Sequence, residues 1–487
     1  MPDIQLPAVD IAVVAQLLII FGWAVGLTVI DLFIPAGSKK TTGYLAIVGL
    51  VVAALAGVPL WGSDRTTLSG SIRLDNFGLT ISWIVLAITI ITILISLDYL
   101  ARHGIERGEY YVLLLLATGG MLLLGQGNDL VVMFIGLELL SITLYVLVGF
   151  ALPKIASEEA AMKYLLIGAF ATGFLVFGIA LVYGGTGSSN LATIAEYLSR
   201  ATLVAEDHSY LLAGAALVVV GLGYKVSIAP FQMYTPDVYE GAPTPITAFM
   251  SVGSKAAALA ALARFLMGAL PTERAIWVPA LAALAAITLL WGNIGALAQR
   301  NVKRMLAYSS IGQAGYLLMA LLGNPGRASE ALLFYLVSYA LTNLAAFAVL
   351  IALEQRGEAA WDMQDLAGLA QRHPGLAAAM SIAMLSLAGV PLTAGFLGKV
   401  YVFSAAWDAG LAWLTVLAVV VSVIGAFYYL RIVVTMLLRD PSREMPSDSG
   451  RGVTLGMGIA AAAIVVFGII PTPVINLVQQ SVLALTK

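Results

Sequence analysis

The chain alternates between long apolar stretches and short polar loops along its whole length. Fourteen apolar segments can be delimited, and each is about as long as the hydrocarbon core of a bilayer is thick. They are too long for the strands of a membrane β-barrel, so they predict an all-α polytopic membrane protein with about fourteen transmembrane helices. The predicted segments, numbered in chain order, are 9–34, 42–61, 76–100, 109–126, 129–150, 158–184, 209–231, 243–268, 275–298, 302–322, 328–354, 375–407, 411–438 and 452–470.

Four ionisable residues lie inside these segments, where a membrane excludes charge. Glu138 lies in segment 5 (LVVMFIGLELLSITLYVLVGF) and Lys225 in segment 7 (LLAGAALVVVGLGYKVSIAPF). Lys255 lies in segment 8 (PITAFMSVGSKAAALAALA) and Lys399 in segment 12 (AGVPLTAGFLGKVYVFSAA). A charge near the bilayer midplane costs about 3 kcal/mol on insertion scales, and such groups mark ion or proton paths by default. The four residues are therefore the candidate functional site.

Each of the four also has a structural explanation. Lys225 could snorkel to the inner surface and Lys399 to the outer surface. Lys255 is about twelve residues from either end of its segment, too far to snorkel, so its alternative is static bonding to carbonyls or hydroxyls. Glu138, with Ser141 on the same helix face, could bond to a neighbouring helix. Three lysines against one acid suggest that Glu138 pairs with one lysine and leaves the others to titrate.

The choice of residue types favours protons over metal cations. Burial disfavours the charged form of lysine, so buried lysines joined by water can release, recapture and pass on protons near neutral pH. A metal-cation site would need several carboxylates or carbonyls, and only one acid is central.

Two of the segments are interrupted. Segment 7 meets Pro230, and segment 12 carries Gly389 and Pro391 near its middle. Proline breaks or kinks a helix interior because it lacks a backbone donor and clashes with the preceding turn. The prolines are 161 residues apart, which covers five spans, and an odd number of spans inverts the second copy of a repeat. The spacing indicates two inverted repeats of the kind found in transporters, with two independent kinks as the alternative.

Composition limits the chemistry further. The chain has 487 residues, of which 60% are hydrophobic and 11% charged, whereas soluble domains have about 25% charged residues. It has no cysteine, which excludes thiolate-bound zinc and all-cysteine iron–sulfur clusters within the chain. The three histidines, His103, His208 and His373, fall in or near polar loops, which argues against a haem held between helices. We therefore expect no redox centre and no metal in this chain.

The loops give an orientation and two local features. Fourteen of the 25 lysines and arginines fall in loops on one side and six on the other, which predicts that both termini lie outside. The longest loop, 185–208, predicts a small amphipathic surface helix. The proline-rich and aromatic-rich segment PFQMYTPDVYEGAPTPITAF carries Asp237 and Glu240 without a basic residue. It is either a rigid turn at the inner surface or a proton funnel or subunit contact.

Several stretches resemble a known family. One stretch is similar to the signature of the antiporter-like membrane subunits of respiratory complex I: YKVSIAPFQMYTPDVYEGAPTPITAFMSVGSKAAALAAL. Within it, the motifs TPDVYEGAPTP and SVGSK favour the subunit N type. Three further stretches agree with the same family, and together the four span the middle three quarters of the chain: EYYVLLLLATGGMLLLGQGNDLVVMFIGLELLSITLYVL, NVKRMLAYSSIGQAGY and PLTAGFLGKVYVF.

The resemblance implies an architecture. It implies N-terminal helices 1–3 over 1–108, a first five-helix repeat over 109–268, an inverted second repeat over 275–438, and a C-terminal helix 14 in 439–487.

The resemblance also implies a role for each site residue. Protons load from the inside near Lys225, pass Lys255 and leave past Lys399, while Glu138 modulates Lys225 and couples to the next subunit. No further ionisable group is evident along this path between helix 8, which carries Lys255, and helix 12, which carries Lys399. The polar residues that could hold a water chain there are Ser309, Gln313, Ser338, Thr342 and Asn343.

Partners and cofactors follow from the same resemblance. It implies a subunit of a proton-translocating NADH:quinone oxidoreductase in the bacterial plasma (inner) membrane, beside the antiporter-like subunit M and the small subunits K, J, A and H. The NADH, FMN, iron–sulfur clusters and quinone would belong to partner subunits, the lipid bilayer is the other partner, and no nucleic acid is expected. A subunit of a multi-subunit cation/proton antiporter, or a structural subunit with its charges in static pairs, are the alternatives. The electron donor stays open between NADH and ferredoxin.

Overall fold

The fold is built almost entirely of helices. The computed structural model describes residues 9–200, 205–355, 361–441 and 450–483. The helices are α1 Ala15–Asp31, α2 Lys40–Gly57, α3 Asn76–His103, α4 Glu109–Gln126, α5 Leu130–Val148, α6 Ile155–Thr186, α7 Leu191–Arg200, α8 Ala205–Val226, α9 Thr235–Gly241, α10 Thr244–Ala263, α11 Arg274–Leu297, α12 Val302–Leu321, α13 Pro325–Leu353, α14 Leu369–Arg372, α15 Pro374–Ala388, α16 Ala394–Asp408, α17 Ala412–Leu438, α18 Arg451–Ile469 and α19 Thr472–Gln479.

Shorter elements join these helices. A π-helical turn, Arg264–Ala269, continues α10, and 3₁₀ turns lie at Ala36–Ser38, Val58–Leu60 and Met363–Leu366. Two short strands, β1 Arg65–Thr67 and β2 Ile72–Leu74, form an antiparallel hairpin between α2 and α3.

Each of the fourteen predicted segments coincides with a helix or a pair of helices. Eleven helices in the described part of the chain are long and apolar enough to cross a membrane, and α1 and α15 are shorter apolar helices. The all-α polytopic fold is thus confirmed, and a count of fourteen spans is consistent with it. The predicted amphipathic surface helix is α7, which buries Leu191, Ile194, Ala195 and Leu198.

Both predicted helix breaks are present. The helix of segment 7, α8, ends at Val226, and irregular backbone over 227–234 around Pro230 separates it from the short helix α9. Segment 12 divides into α15 and α16, separated by 389–393. Ser227 and Leu392 have φ angles of 68° and 70°, a left-handed conformation that non-glycine residues seldom adopt. The two breaks therefore share an unusual backbone conformation.

The two halves of the chain carry further matched features. Asp129 caps the start of α5 and forms an isolated β-bridge with Asn190. Asn301 caps the start of α12 and forms an isolated β-bridge with Asp362. In each half, the bridge ties the start of a helix to a loop 61 residues further along the chain. These correspondences agree with the predicted repeats, whose boundaries, like the proposed domain limits, stay a prediction.

Helix α10 lies at the centre of the bundle. Every residue of α10 is buried, and the flanking helices α3 and α13 are also mostly buried. At the far end of α10, the Arg264 guanidinium donates to both carboxylate oxygens of Asp75 at 2.6 and 3.1 Å, and to the carbonyl of Gly125 at 2.7 Å. This fixes the helix that carries Lys255 to the N-terminal helices.

Candidate functional site

Lys225 is buried at the last turn of α8, directly before the first break. Its residue is 2% exposed, so it does not snorkel to the surface. The Nζ donates to the Tyr164 hydroxyl of α6 at 2.9 Å and lies 4.6 Å from the centre of that ring. The Tyr145 ring of α5 is 5.3 Å from the same nitrogen. An aromatic cage with one neutral hydroxyl therefore holds this ammonium.

Glu138 does not form the ion pair that the sequence suggested. Its carboxylate accepts a hydrogen bond from the Thr172 hydroxyl of α6 at 2.6 Å. Among the described residues, no lysine or arginine nitrogen lies within 4.0 Å of it. Tyr145 is seven residues further along the same face of α5 and reaches toward Lys225. The expected pairing with a lysine was wrong: the Glu138 carboxylate is bonded to a neutral hydroxyl of α6 instead.

Lys255 is fully buried in the middle of α10. Its Nζ donates to both the carbonyl and the hydroxyl of Ser310 on α12, each at 2.6 Å. These are the carbonyl and hydroxyl bonds of the structural alternative. The Ser310 hydroxyl also accepts from Tyr339 of α13 at 2.8 Å, so the lysine is joined to a larger polar network.

Lys399 lies on α16 and folds back over the second break. Its Nζ donates to the carbonyls of Leu387 and Ala388 at 2.8 and 3.0 Å, and to the Ser422 hydroxyl of α17 at 2.8 Å. The two carbonyls end α15, where a helix presents unpaired acceptors and the negative end of its dipole. Gly389, at φ 85°, makes room, since a Cβ there would lie 3.0 Å from the lysine Cδ. The residue is 5% exposed, so outward snorkelling is excluded.

Tyrosines and amides fill the interval between Lys255 and Lys399. Tyr335 donates to the Gln313 amide oxygen in a short hydrogen bond, and Gln313 donates to the Tyr429 hydroxyl at 3.0 Å. The Tyr316 ring packs edge-on against Tyr335 and lies 5.1 Å from the Lys399 Nζ. Polar side chains thus continue from one lysine toward the other.

The five residues predicted to hold a water chain divide between this route and two others. Ser309 and Gln313 both bond to Tyr429. Thr342 bonds to Ser386 at the end of α15, and Asn343 bonds to Ser251 on α10. The Ser338 hydroxyl is buried and has no hydrogen-bond partner in the part of the chain that the structure describes.

Sequence reasoning missed the residues that contact the lysines. These residues lie in predicted helices, but nothing in their local sequence indicates which neighbouring helix they face. They are Tyr164, Ser310, Tyr339 and Ser422. The one usable signal was the pair of tyrosines four residues apart, Tyr335 and Tyr339, which places two hydroxyls on one face of a membrane helix.

The acidic residues of α9, Asp237 and Glu240, pair with basic residues of other helices. Lys163 of α6 contacts Asp237 at 3.1 Å, and Arg304 of α12 contacts Asp237 at 2.8 Å and Glu240 at 2.7 Å. Burial raises the pKa of the Asp237 carboxyl, but hydrogen bonds from these two bases outweigh it and hold the pKa below its ordinary value of 3.8. A polar cavity of about 290 Å³ opens beside this cluster, lined in part by Lys154 and Glu159. The three interpretations of this segment, as a rigid turn, a proton funnel or a subunit contact, stay predictions.

Comparison with known proteins defines the class first. A family model described as NADH:quinone oxidoreductase/Mrp antiporter, TM matches residues 127–425. The match covers more than half of the chain, so the chain belongs to the class of antiporter-like integral membrane subunits.

Individual relatives narrow the class. NADH-quinone oxidoreductase subunit N 2 of Roseiflexus castenholzii is 61% identical over 99% of this chain and 98% of its own length. NADH-quinone oxidoreductase subunit N of Chloroflexus aggregans is 54% identical over the whole of both chains. A chain of respiratory complex I from Thermus thermophilus with bound aureothin is 34% identical, with a TM-score of 0.81 over 95% of this chain and 98% of that one. The chain belongs to the NADH-quinone oxidoreductase subunit N family.

Proposed function

We propose that the chain translocates protons as a membrane-arm subunit of an NADH-quinone oxidoreductase, through Lys225, Lys255 and Lys399. One observation carries this proposal. Each of the three ammonium groups is buried and bonded only to neutral oxygens, and no carboxylate of the described chain lies within 4.0 Å of any of them. A lysine held in this way can lose its proton without leaving an unpaired acid behind.

The proton path follows the order of the three lysines. Uptake from the predicted inner side is supported by the polar cavity beside Lys163, whose chain neighbour Tyr164 bonds to Lys225. The proton passes from Lys225 to Lys255, its transfer on to Lys399 uses the tyrosine and glutamine network, and release follows past the second break. Glu138 modulates the electrostatic field at Lys225.

The oxidoreductase activity belongs to the assembled complex. We assign NADH, FMN, iron–sulfur clusters and quinone to partner subunits, and we infer that this chain contacts subunit M and the small subunits K, J, A and H. We place it in the bacterial plasma membrane with both termini outside. In that location, electron transfer elsewhere in the complex drives the lysine relay.

The test replaces each lysine by methionine, which preserves length and removes the titratable nitrogen. Assembled complex carrying Lys225→Met, Lys255→Met or Lys399→Met is reconstituted in liposomes, and protons moved per electron are measured beside quinone reduction. We expect every variant to lower the ratio. Lys40→Met is the matched control, since the Lys40 side chain is 42% exposed and paired with Asp98, and it should pump normally.

Two outcomes would contradict the proposal. Unchanged pumping by all three assembled variants would make the chain a structural subunit. Sodium transport by the chain alone in vesicles would instead favour an antiporter, the other class that the family model includes.

A further inference from the structure

A carboxylate outside the lysine relay is buried at the predicted inner face. Glu354 directly follows the last turn of α13 and is 5% exposed. It accepts a short hydrogen bond from the Thr244 hydroxyl at the start of α10 and a second bond from the Tyr99 hydroxyl of α3 at 3.2 Å. Three helices that meet at this face therefore converge on one acid.

Glu354 has a half-buried acid–base neighbour, His103. The His103 ring stacks on Tyr99 and is half-buried, and its Nε2 lies 3.9 Å from the Glu354 carboxylate. Its Nδ1 is 2.9 Å from the Tyr99 carbonyl, which can only accept, so Nδ1 carries a hydrogen. The nitrogen that gains or loses a proton is thus the one that faces Glu354.

Other charges near Glu354 do not lock it. Arg102 donates to the Ile351 carbonyl at 2.9 Å. Lys303 interacts with Glu354 electrostatically but donates to the carbonyls of Glu240 and Ala242. No lysine or arginine nitrogen of the described chain lies within 4.0 Å of the Glu354 carboxylate, so it is not held in a fixed ion pair.

A stripe of buried hydroxyls leads from Glu354 to Lys255. Thr244, Thr247, Ser251 and Lys255 are spaced by three, four and four residues, which places them on one face of α10 over about 16 Å. All four are fully buried in the centre of the bundle.

Side chains of α13 complete the half of this stripe that lies nearest Lys255. Asn343 donates to the Ser251 hydroxyl, and Tyr339 donates to the Ser251 carbonyl at 3.1 Å and to the Ser310 hydroxyl that holds Lys255. The Asn343 amide oxygen and the Ser338 hydroxyl are buried and have no hydrogen-bond partner among the described residues. Buried polar atoms of this kind bind water, which would bridge the hydroxyls along α10.

We propose that Glu354 is a second proton-loading residue, which supplies Lys255 from the inner face through α10 independently of Lys225. A proton on His103 Nε2 passes to the Glu354 carboxylate, leaving a neutral imidazole and a neutral carboxylic acid. The acid then releases it along the hydroxyl stripe to Lys255. This inference rests on the proposed lysine relay.

The test is Glu354→Gln in the assembled complex, with protons moved per electron measured in liposomes. The glutamine keeps one oxygen that can accept from one of the two hydroxyls, and its NH2 group can donate to the other hydroxyl oxygen. It cannot carry a proton, so it separates proton transfer from structural support. We expect the ratio to fall, but by a smaller share than in Lys255→Met because the inlet through Lys225 remains, while quinone reduction per assembled complex is less affected. Glu109→Gln, at an exposed acid that begins α4, is the matched control and should pump normally.

The outcomes distinguish the two proposals. Normal pumping by Glu354→Gln beside a defect in Lys255→Met would overturn the second inlet and leave the relay standing. Normal pumping by both would overturn the relay itself. If Glu354→Gln does not assemble, Glu354→Asp and His103→Gln decide the matter: we expect the aspartate to retain pumping and His103→Gln to lower it. Normal pumping by His103→Gln would then contradict the proposed route.

Discussion

The buried pair of Arg264 and Asp75 offers a quantitative test of how the central helix is held. The two side chains are 2% and 5% exposed and share two hydrogen bonds, and Arg264 makes a third to Gly125. Removing one partner of a buried pair costs about 3–5 kcal/mol, because the other charge is left uncompensated. Arg73 is 3.9 Å from the same carboxylate and would compensate in part. We therefore expect Arg264→Met to lower the free energy of unfolding by about 3 kcal/mol, the lower end of that range.

A double-mutant cycle separates the pair from the rest of the site. Asp75 also caps α3 by accepting from the Gly78 amide at 2.7 Å, and asparagine can keep that cap. Asp75→Asn combined with Arg264→Met removes both charges, so the double variant should be more stable than Arg264→Met alone. We expect a coupling energy of about 2 kcal/mol, within the range for residues in one network.

The assay is unfolding of the purified full-length chain in mixed micelles titrated with SDS, followed by far-UV circular dichroism. An ordinary substitution typically lowers the free energy of unfolding by about 1 kcal/mol. A decrease smaller than this for Arg264→Met would show that the pair does not anchor α10. A coupling energy indistinguishable from zero would show that the loss arises from packing of the arginine stem rather than from its charge.

Three further predictions follow from local contacts. Gly292→Leu should prevent correct packing of α11 on α12, since a Cβ at Gly292 would lie 2.2 Å from a backbone nitrogen. A Cβ at Gly22 would meet nothing within 4 Å, so Gly22→Leu is the control, and the yields of folded protein of the two variants are compared. Because the pKa of Asp237 is lowered, its stabilising contribution is present above about pH 4 and is lost as pH falls through the folded-state pKa, so Asp237→Asn should make acid unfolding less pH-dependent. Thr172→Val removes a bond to the Glu138 carboxylate worth about 1.5–3 kcal/mol and should slow pumping in assembled complex; an unchanged rate would mean that this bond is absent during turnover.

Much of the fold could be predicted because a membrane limits the choices. Length and hydropathy delimit the helices, and Pro230 and Pro391 mark both breaks, since proline cannot continue a helix interior. Lys225, Lys255 and Lys399 stand out in the sequence for the same reason, as charges in apolar surroundings.

The surroundings of those lysines could not be predicted. A membrane helix is apolar on every side, so its sequence does not show which face meets which neighbour. Ser310 and Tyr164 are ordinary residues until the fold places them beside an ammonium. The expected pairing of Glu138 failed for this reason, and the burial of Glu354 depends on three helix ends that are distant in sequence.

The partners of the buried cations separate two uses of positive charge in one bundle. Arg264, which stays protonated at any physiological pH, is paired with the Asp75 carboxylate, and the two charges pin helices together. Lys225, Lys255 and Lys399 can lose a proton, and neutral hydroxyls or backbone carbonyls hold each of them instead. An ion pair would hold the proton on the lysine, because deprotonation would strand the buried acid. The helix break before Lys399 supplies carbonyl acceptors without adding a negative charge, which gives the broken helix a chemical purpose as well as a structural one.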